Sequence, residues 1–133
     1  MVSAGVENSE QRRSQLLRGV LDVCLLALIS EEPRYGYELA EGLAQRGLAL
    51  VSEGSIYPLL SRMQSAGLVS VFKTASGNGP PRKYYQLTDA GAAELAAGRR
   101  SWAAFAESVG QVLAVPTRPE PSPSVPSRHQ EDS

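Results

Sequence analysis

The stretch SEGSIYPLLSRMQSAGLVSVFKTASGNGPPRKYYQLTDAG, residues 52–91, decides the fold. Ile56, Leu59, Leu60 and Met63 recur at steps of three and four, which places them on one helical face. The spacing predicts a helix from Ser52 or Ser55 to Ala66, closed by Gly67. Pro58 lacks the N–H that a helix interior uses, which favours Ser55 as N-cap with Pro58 in the first turn. A start at Ser52 would bend at Pro58. Two β-rich segments follow, Leu68–Thr74 and Arg82–Leu87, and the second alternates Lys83, Tyr85 and Leu87 against Arg82, Tyr84 and Gln86. Residues 75–81 read as a loop too long for a tight hairpin. Thr88-Asp89 then caps another helix.

Upstream, residues 1–14 are polar and read as a flexible leader. From Leu17 a helical stripe begins with Leu17, Val20, Leu21, Cys24, Leu25 and Leu28, widened by Val23, Leu26 and Ile29. Pro33 ends it by disfavouring helical geometry in the residue before it. A shorter helix runs from Gly36 to Arg46, with Leu39, Ala40, Leu43 and Ala44 inward and Gly47 as the left-handed stop. Leu48–Val51 suggests a small strand.

Downstream, a long helix spans Asp89 to about Ala114. Leu95, Trp102 and Val109 lie seven residues apart, and Phe105, Val112 and Gly98 follow the neighbouring seam. Such a repeat on a terminal helix calls for a second copy, with Leu95, Trp102, Phe105, Val109 and Val112 as the dimer interface. The alternative is that the helix folds back on its own core. Pro116, Pro119, Pro121, Pro123 and Pro126 mark a disordered tail. The expected organisation is a leader (1–14), a DNA-binding domain (15–88), a dimerisation helix (89–114) and a Pro-rich tail (115–133). The expected fold class is mainly α with a small β-hairpin: a winged helix-turn-helix plus a long C-terminal dimerisation helix.

Composition narrows the function. The 133 residues suit one domain plus tails, and 42% hydrophobic residues suffice for a core. No apolar run is long enough for a bilayer, the N-terminus lacks a signal peptide, and Cys24 has no partner cysteine, so a cytoplasmic location is expected. His129 lies in the tail, no cluster has metal-ligand spacing, and no Gly-rich phosphate loop precedes a helix. Glu31 and Glu32 read as solvated. Neither a cofactor nor an enzyme is expected.

The net charge of −1 hides an uneven distribution. Between Gly54 and Thr88 stand Arg62, Lys73, Arg82 and Lys83, without one Asp or Glu. The helix here would bury its stripe and present Ser55, Tyr57, Ser61, Arg62, Gln64 and Ser65 to a DNA major groove. Arg62 suits guanine or phosphate, and Ser55 would bring a backbone N–H to a phosphate. Tyr57 would reach the backbone with its hydroxyl or, alternatively, bury partly against the wing. Lys73, Arg82 and Lys83 flank the hairpin tip and suit the adjacent backbone.

Three strings resemble the PadR family of transcriptional regulators: YGYEL at 35–39, GSIYPLL at 54–60 and GPPRKYYQLTDAG at 79–91. The resemblance covers about Leu16–Leu113 and is to the short subfamily with one closing helix. It implies a homodimer that binds palindromic operator DNA and represses transcription, with release by a small aromatic effector. It also implies stacking of a flat ligand on Trp102. The residues alone leave Trp102 equally open as a dimer-core side chain. Two other functions stay open at this point: a winged-helix protein-interaction module, and a ligand-binding dimer with little DNA role.

Overall fold

Eight elements follow one another in the computed structural model, which describes residues 2–49 and 51–118. They are α1 (Val2–Arg18), α2 (Leu21–Glu31), β1 (Arg34–Tyr35), α3 (Gly36–Gln45), α4 (Glu53–Ser65), β2 (Val69–Ser76), β3 (Gly79–Leu87) and α5 (Asp89–Leu113). The chain divides into two units, Met1–Ala103 and Ala104–Ser133, so the boundary falls inside α5.

The expected flexible leader is instead helical, and α1 takes in residues 2–18. The apolar stripe read as one helix from Leu17 is broken after Arg18, because Val20 is not helical (φ −133°, ψ 4°). Leu21, Leu25, Leu26, Leu28 and Ile29 make α2 the centre of the core. Around it pack Leu39 and Leu43 of α3, Ile56, Leu60 and Met63 of α4, Val69, Tyr85 and Leu95. No polar or charged side chain is buried among the described residues. Burial of apolar surface is therefore what holds this layer together.

The helix ends follow local chemistry. Pro33 follows an extended Glu32 (φ −173°) at the end of α2. The Glu38 carboxylate accepts the Tyr35 N–H at 3.2 Å, which caps α3. Gly47 (φ +91°) and Gly67 (φ +78°) close α3 and α4 in the left-handed region. The small strand expected at Leu48–Val51 is absent from residues 48, 49 and 51, and Leu50 lies outside the described residues. The tail expected over 115–133 is irregular through residue 118 and lies beyond the described residues from 119 on.

Two expectations about residues 52–91 need correction. The N-cap of α4 is Ser52, not Ser55; its hydroxyl accepts the Ser55 N–H at 3.3 Å. Pro58 is thus inside the helix, where the carbonyl it leaves without an N–H partner is that of exposed Gly54. The hairpin is also tight. Ser76 pairs with Gly79, so only Gly77 and Asn78 form the turn. Gly77 has φ +63° while Asn78 does not enter positive φ, the pattern of a type II′ turn. A register shift between Thr74 and Ser76 absorbs Pro80-Pro81 opposite.

The sheet has three strands in the order β1-β3-β2, both pairs antiparallel. Val71 and Tyr85 face each other on the core side. On the other side Tyr35, Tyr84 and Phe72 form a ring row, with centroids 5.3 and 5.5 Å apart.

Thr88 joins α4 to α5. Its hydroxyl donates to the Gly67 carbonyl at 2.6 Å and accepts the Gly91 N–H at 3.0 Å. Gly91 is obligatory at that crossing, since a Cβ there would overlap the Leu68 carbonyl oxygen.

Candidate nucleic-acid interface

The physics of α4 separates its two faces. Ile56, Leu60 and Met63 are buried, and Leu59 is half-buried, so the helix has no apolar side left for water. Ser55, Tyr57, Ser61, Arg62, Gln64 and Ser65 are all exposed, as are Lys73, Arg82 and Lys83 of the hairpin. Among the described residues neither Arg62 nor the three hairpin cations make an ion pair. The cations that do are elsewhere: Arg34 and Arg46 both reach Glu31, at 2.7 and 3.3 Å. Glu31 is therefore paired rather than merely solvated, although its exposure makes these contacts weak.

The structure brings part of the expected set together. Tyr57 lines one groove of about 460 Å³ with Tyr35, Gly36 and the Gly79–Lys83 end of β3. Tyr57, Arg82 and Lys83 thus share one opening, at the start of α3 and beside the wing. Arg82 lies over the Tyr35 ring, 4.6 Å from its centroid, which holds the guanidinium at the groove without neutralising it. Lys73 and Lys83 stand directly opposite each other across the two strands. Like charges so placed repel, and an anion between them would relieve the cost. Ser55 and Arg62 line a different groove, toward α1 and α2. Ser61, Gln64 and Ser65 line neither.

Two details change the expected chemistry. With the helix starting at Glu53, α4 does carry one carboxylate in its first turn. That carboxylate accepts the Tyr57 hydroxyl at 2.6 Å, so Tyr57 is held in place while remaining 43% exposed. The hydrogen bond to Glu53, helped by partial burial, pushes the Tyr57 hydroxyl up to about 12. The ring also lies against Gly36, where a Cβ would overlap it. The Ser55 N–H is occupied within the cap and is not offered outward as expected. Sequence reading overlooked Glu53 because the N-cap was placed three residues too late, at Ser55 instead of Ser52. Its signal was there, since an acid beside a Ser cap is the usual first-turn pattern.

The residues expected at a dimer interface divide. Leu95, only 4% exposed, belongs to the chain's own core and is not available to a second copy. Gly98 faces Val23 of α2, where a Cβ would crowd Cγ2 at 2.7 Å, so it serves packing within the chain. The fold-back alternative therefore holds for the first part of α5. Trp102 is 51% exposed and lines an apolar groove of about 400 Å³ with Leu16, Val20, Val23, Cys24 and Leu48. Burial, with Asp22 nearby, raises the Cys24 thiol. In the C-terminal unit Phe105 and Val112 are 64% and 69% exposed, and Val109 is exposed as well. No described group of acidic, Cys or His residues is placed to hold a metal. No helix among the described residues is long and apolar enough to cross a membrane.

Comparison with known proteins agrees with this geometry. The profile of the Transcriptional regulator PadR-like family matches residues 25–97. A PadR-like transcriptional regulator from Bacillus cereus is 46% identical, with a TM-score of 0.69 over 77% of this chain and 99% of its own. A PadR family regulator from Eggerthella lenta is 32% identical, with a TM-score of 0.76 over 86% of this chain and 99% of its own. An uncharacterized protein of Lysinibacillus sphaericus is 31% identical over 99 residues, 73% of this chain and 91% of its own length.

Proposed function

The chain belongs to the PadR-like family of transcriptional regulators, which are not enzymes, and from that premise we propose that it is a dimeric repressor of operator DNA. One observation carries the reading: α4 and the hairpin leave Arg62, Lys73, Arg82 and Lys83 exposed and, among the described residues, without ion pairs, while the carboxylate in the first turn of α4 accepts the Tyr57 hydroxyl. Such a surface suits phosphates, which supply affinity and register. Base selection falls to α4 in the major groove, with Gln64 as the side chain suited to base edges. Dimerisation uses Trp102, Phe105, Val109 and Val112, apolar side chains of α5 that stand exposed on this chain. Two copies read a palindrome whose half-sites lie about one helical turn apart.

Release follows from the groove at Trp102. A planar aromatic molecule seated there would favour one spacing of the two α4 helices over another, and so change operator affinity. A gel-shift titration against DNA upstream of the protein's own gene, at two salt concentrations, tests the repressor reading. Preference for that fragment over competitor DNA, weakening with salt, is the expected result. Equal binding to both, or none, would return the chain to a protein-interaction role. Quenching of Trp102 fluorescence by planar aromatics, with binding heat measured by calorimetry lost in Trp102→Ala, tests the effector.

A further inference from the structure

The groove on the other side of α4 has no assigned role. It measures about 420 Å³ and is lined by Ser14, Arg18, Ser55 and Arg62 over Leu17, Leu21, Val51, Pro58 and Leu59. Arg18 is the last residue of α1. The helix breaks just after it, which turns its side chain to the same opening as Arg62. Not one Asp or Glu lines this groove. Among the described residues neither arginine has an ion pair, in contrast to Arg34 and Arg46 at Glu31. Two cations lining one opening repel each other, and an anion between them would lower that cost. At the start of α2, Asp22 accepts the Val23 N–H at 2.8 Å and does not line the groove.

We infer that Arg18 and Arg62 clamp one phosphate of the DNA duplex backbone in this groove, with Arg18 as a binding residue outside the helix-turn-helix and wing. The inference rests on the DNA-binding reading and deepens it. The groove also carries the hydroxyl groups of Ser14 and Ser55 beside the two guanidinium groups, that of Ser55 sharing a 2.9 Å hydrogen bond with Ser52. A guanidinium pair is suited to phosphate because its N–H groups match two oxygens at once. The clamp fixes how far α4 lies along the groove of the duplex and carries no sequence information.

Fluorescence anisotropy with two labelled duplexes tests it: one from upstream of the protein's own gene, and the same bases scrambled. Arg18→Gln should weaken both duplexes by the same factor, roughly tenfold. The slope of log affinity against log salt should fall by about one. Arg18→Lys should keep that slope. Arg100→Gln, an equal charge loss on the exposed side of α5, should change neither duplex. Thermal unfolding of each variant establishes that the fold is kept. The clamp is overturned if Arg18→Gln binds both duplexes as the unsubstituted chain does, if it weakens only one, or if Arg100→Gln matches it. An unsubstituted chain that binds neither duplex would instead remove the DNA-binding reading on which the clamp rests.

Discussion

Helices α4 and α5 are both amphipathic, yet they spend their apolar faces differently. On α4 every buried position, Ile56, Leu60 and Met63, is satisfied inside the chain, and what remains outside is polar and basic. On α5 only Gly91 and Leu95 are buried; from Trp102 onward the large apolar side chains are exposed. The same periodicity in sequence therefore has two meanings. A stripe matched by the rest of the domain makes a face for a charged ligand on the opposite side. A stripe longer than the domain leaves an apolar face that calls for another protein surface.

That contrast can be broken in several places. The largest effect belongs to the residues α5 has already committed. Leu95→Ala should cost about 2–5 kcal/mol of folding stability by leaving a cavity, measured by chemical unfolding, whereas Phe105→Ala should cost little in a monomer. Equal losses would mean that the two parts of α5 do not differ. Next, Val109→Asp should weaken self-association strongly by placing a charge in an apolar seam, measured by sedimentation. An intact dimer would move the interface away from α5. Arg62→Ala should lower operator affinity by roughly 1–3 kcal/mol with the fold unchanged, and an unaltered gel shift would remove it from the reading face.

The smaller effects concern Tyr57 and Cys24. The Tyr57 hydroxyl, ordinarily near 10, is held up to about 12 by Glu53. The contact is present below pH 10 and is lost as pH rises through 12. An ultraviolet titration should find Tyr57 late, along with Tyr85, which burial also raises, and Glu53→Gln should bring Tyr57 back toward its ordinary value. An unchanged titration would dissolve the latch. Cys24, with its thiol raised by burial, should react slowly with thiol reagents at neutral pH, and rapid labelling would mean the groove beside Trp102 opens further than described.

Much of the fold was legible because the core helices carry clear stripes. Leu25, Leu26, Ile29, Leu39, Ile56 and Leu60, the most deeply buried side chains, all sit in the helical patterns that sequence alone picks out. What escaped had no local signal. The strand β1 has two residues and exists only because Tyr84 and Tyr85 of β3 lie beside it. The turn at Gly77-Asn78 was masked by Pro80-Pro81, which a ladder usually rejects. They fit because the register of the hairpin shifts between Thr74 and Ser76, opposite them. Helix α1 is polar along most of its length and has a weak stripe, and so it resembles a leader. The candidate site was legible as a set of residue types, and its grooves were not. Arg18 is distant from Arg62 in sequence, and only the turn after α1 puts them at one opening.

The Thr88 hydroxyl grips the end of α4 and the beginning of α5 at once, and Gly91 lets the two backbones touch. A displacement of the first turn of α5 would therefore act on Gly67 directly, with no soft linker between, and one threonine is the tie between the end of α4 and the start of α5.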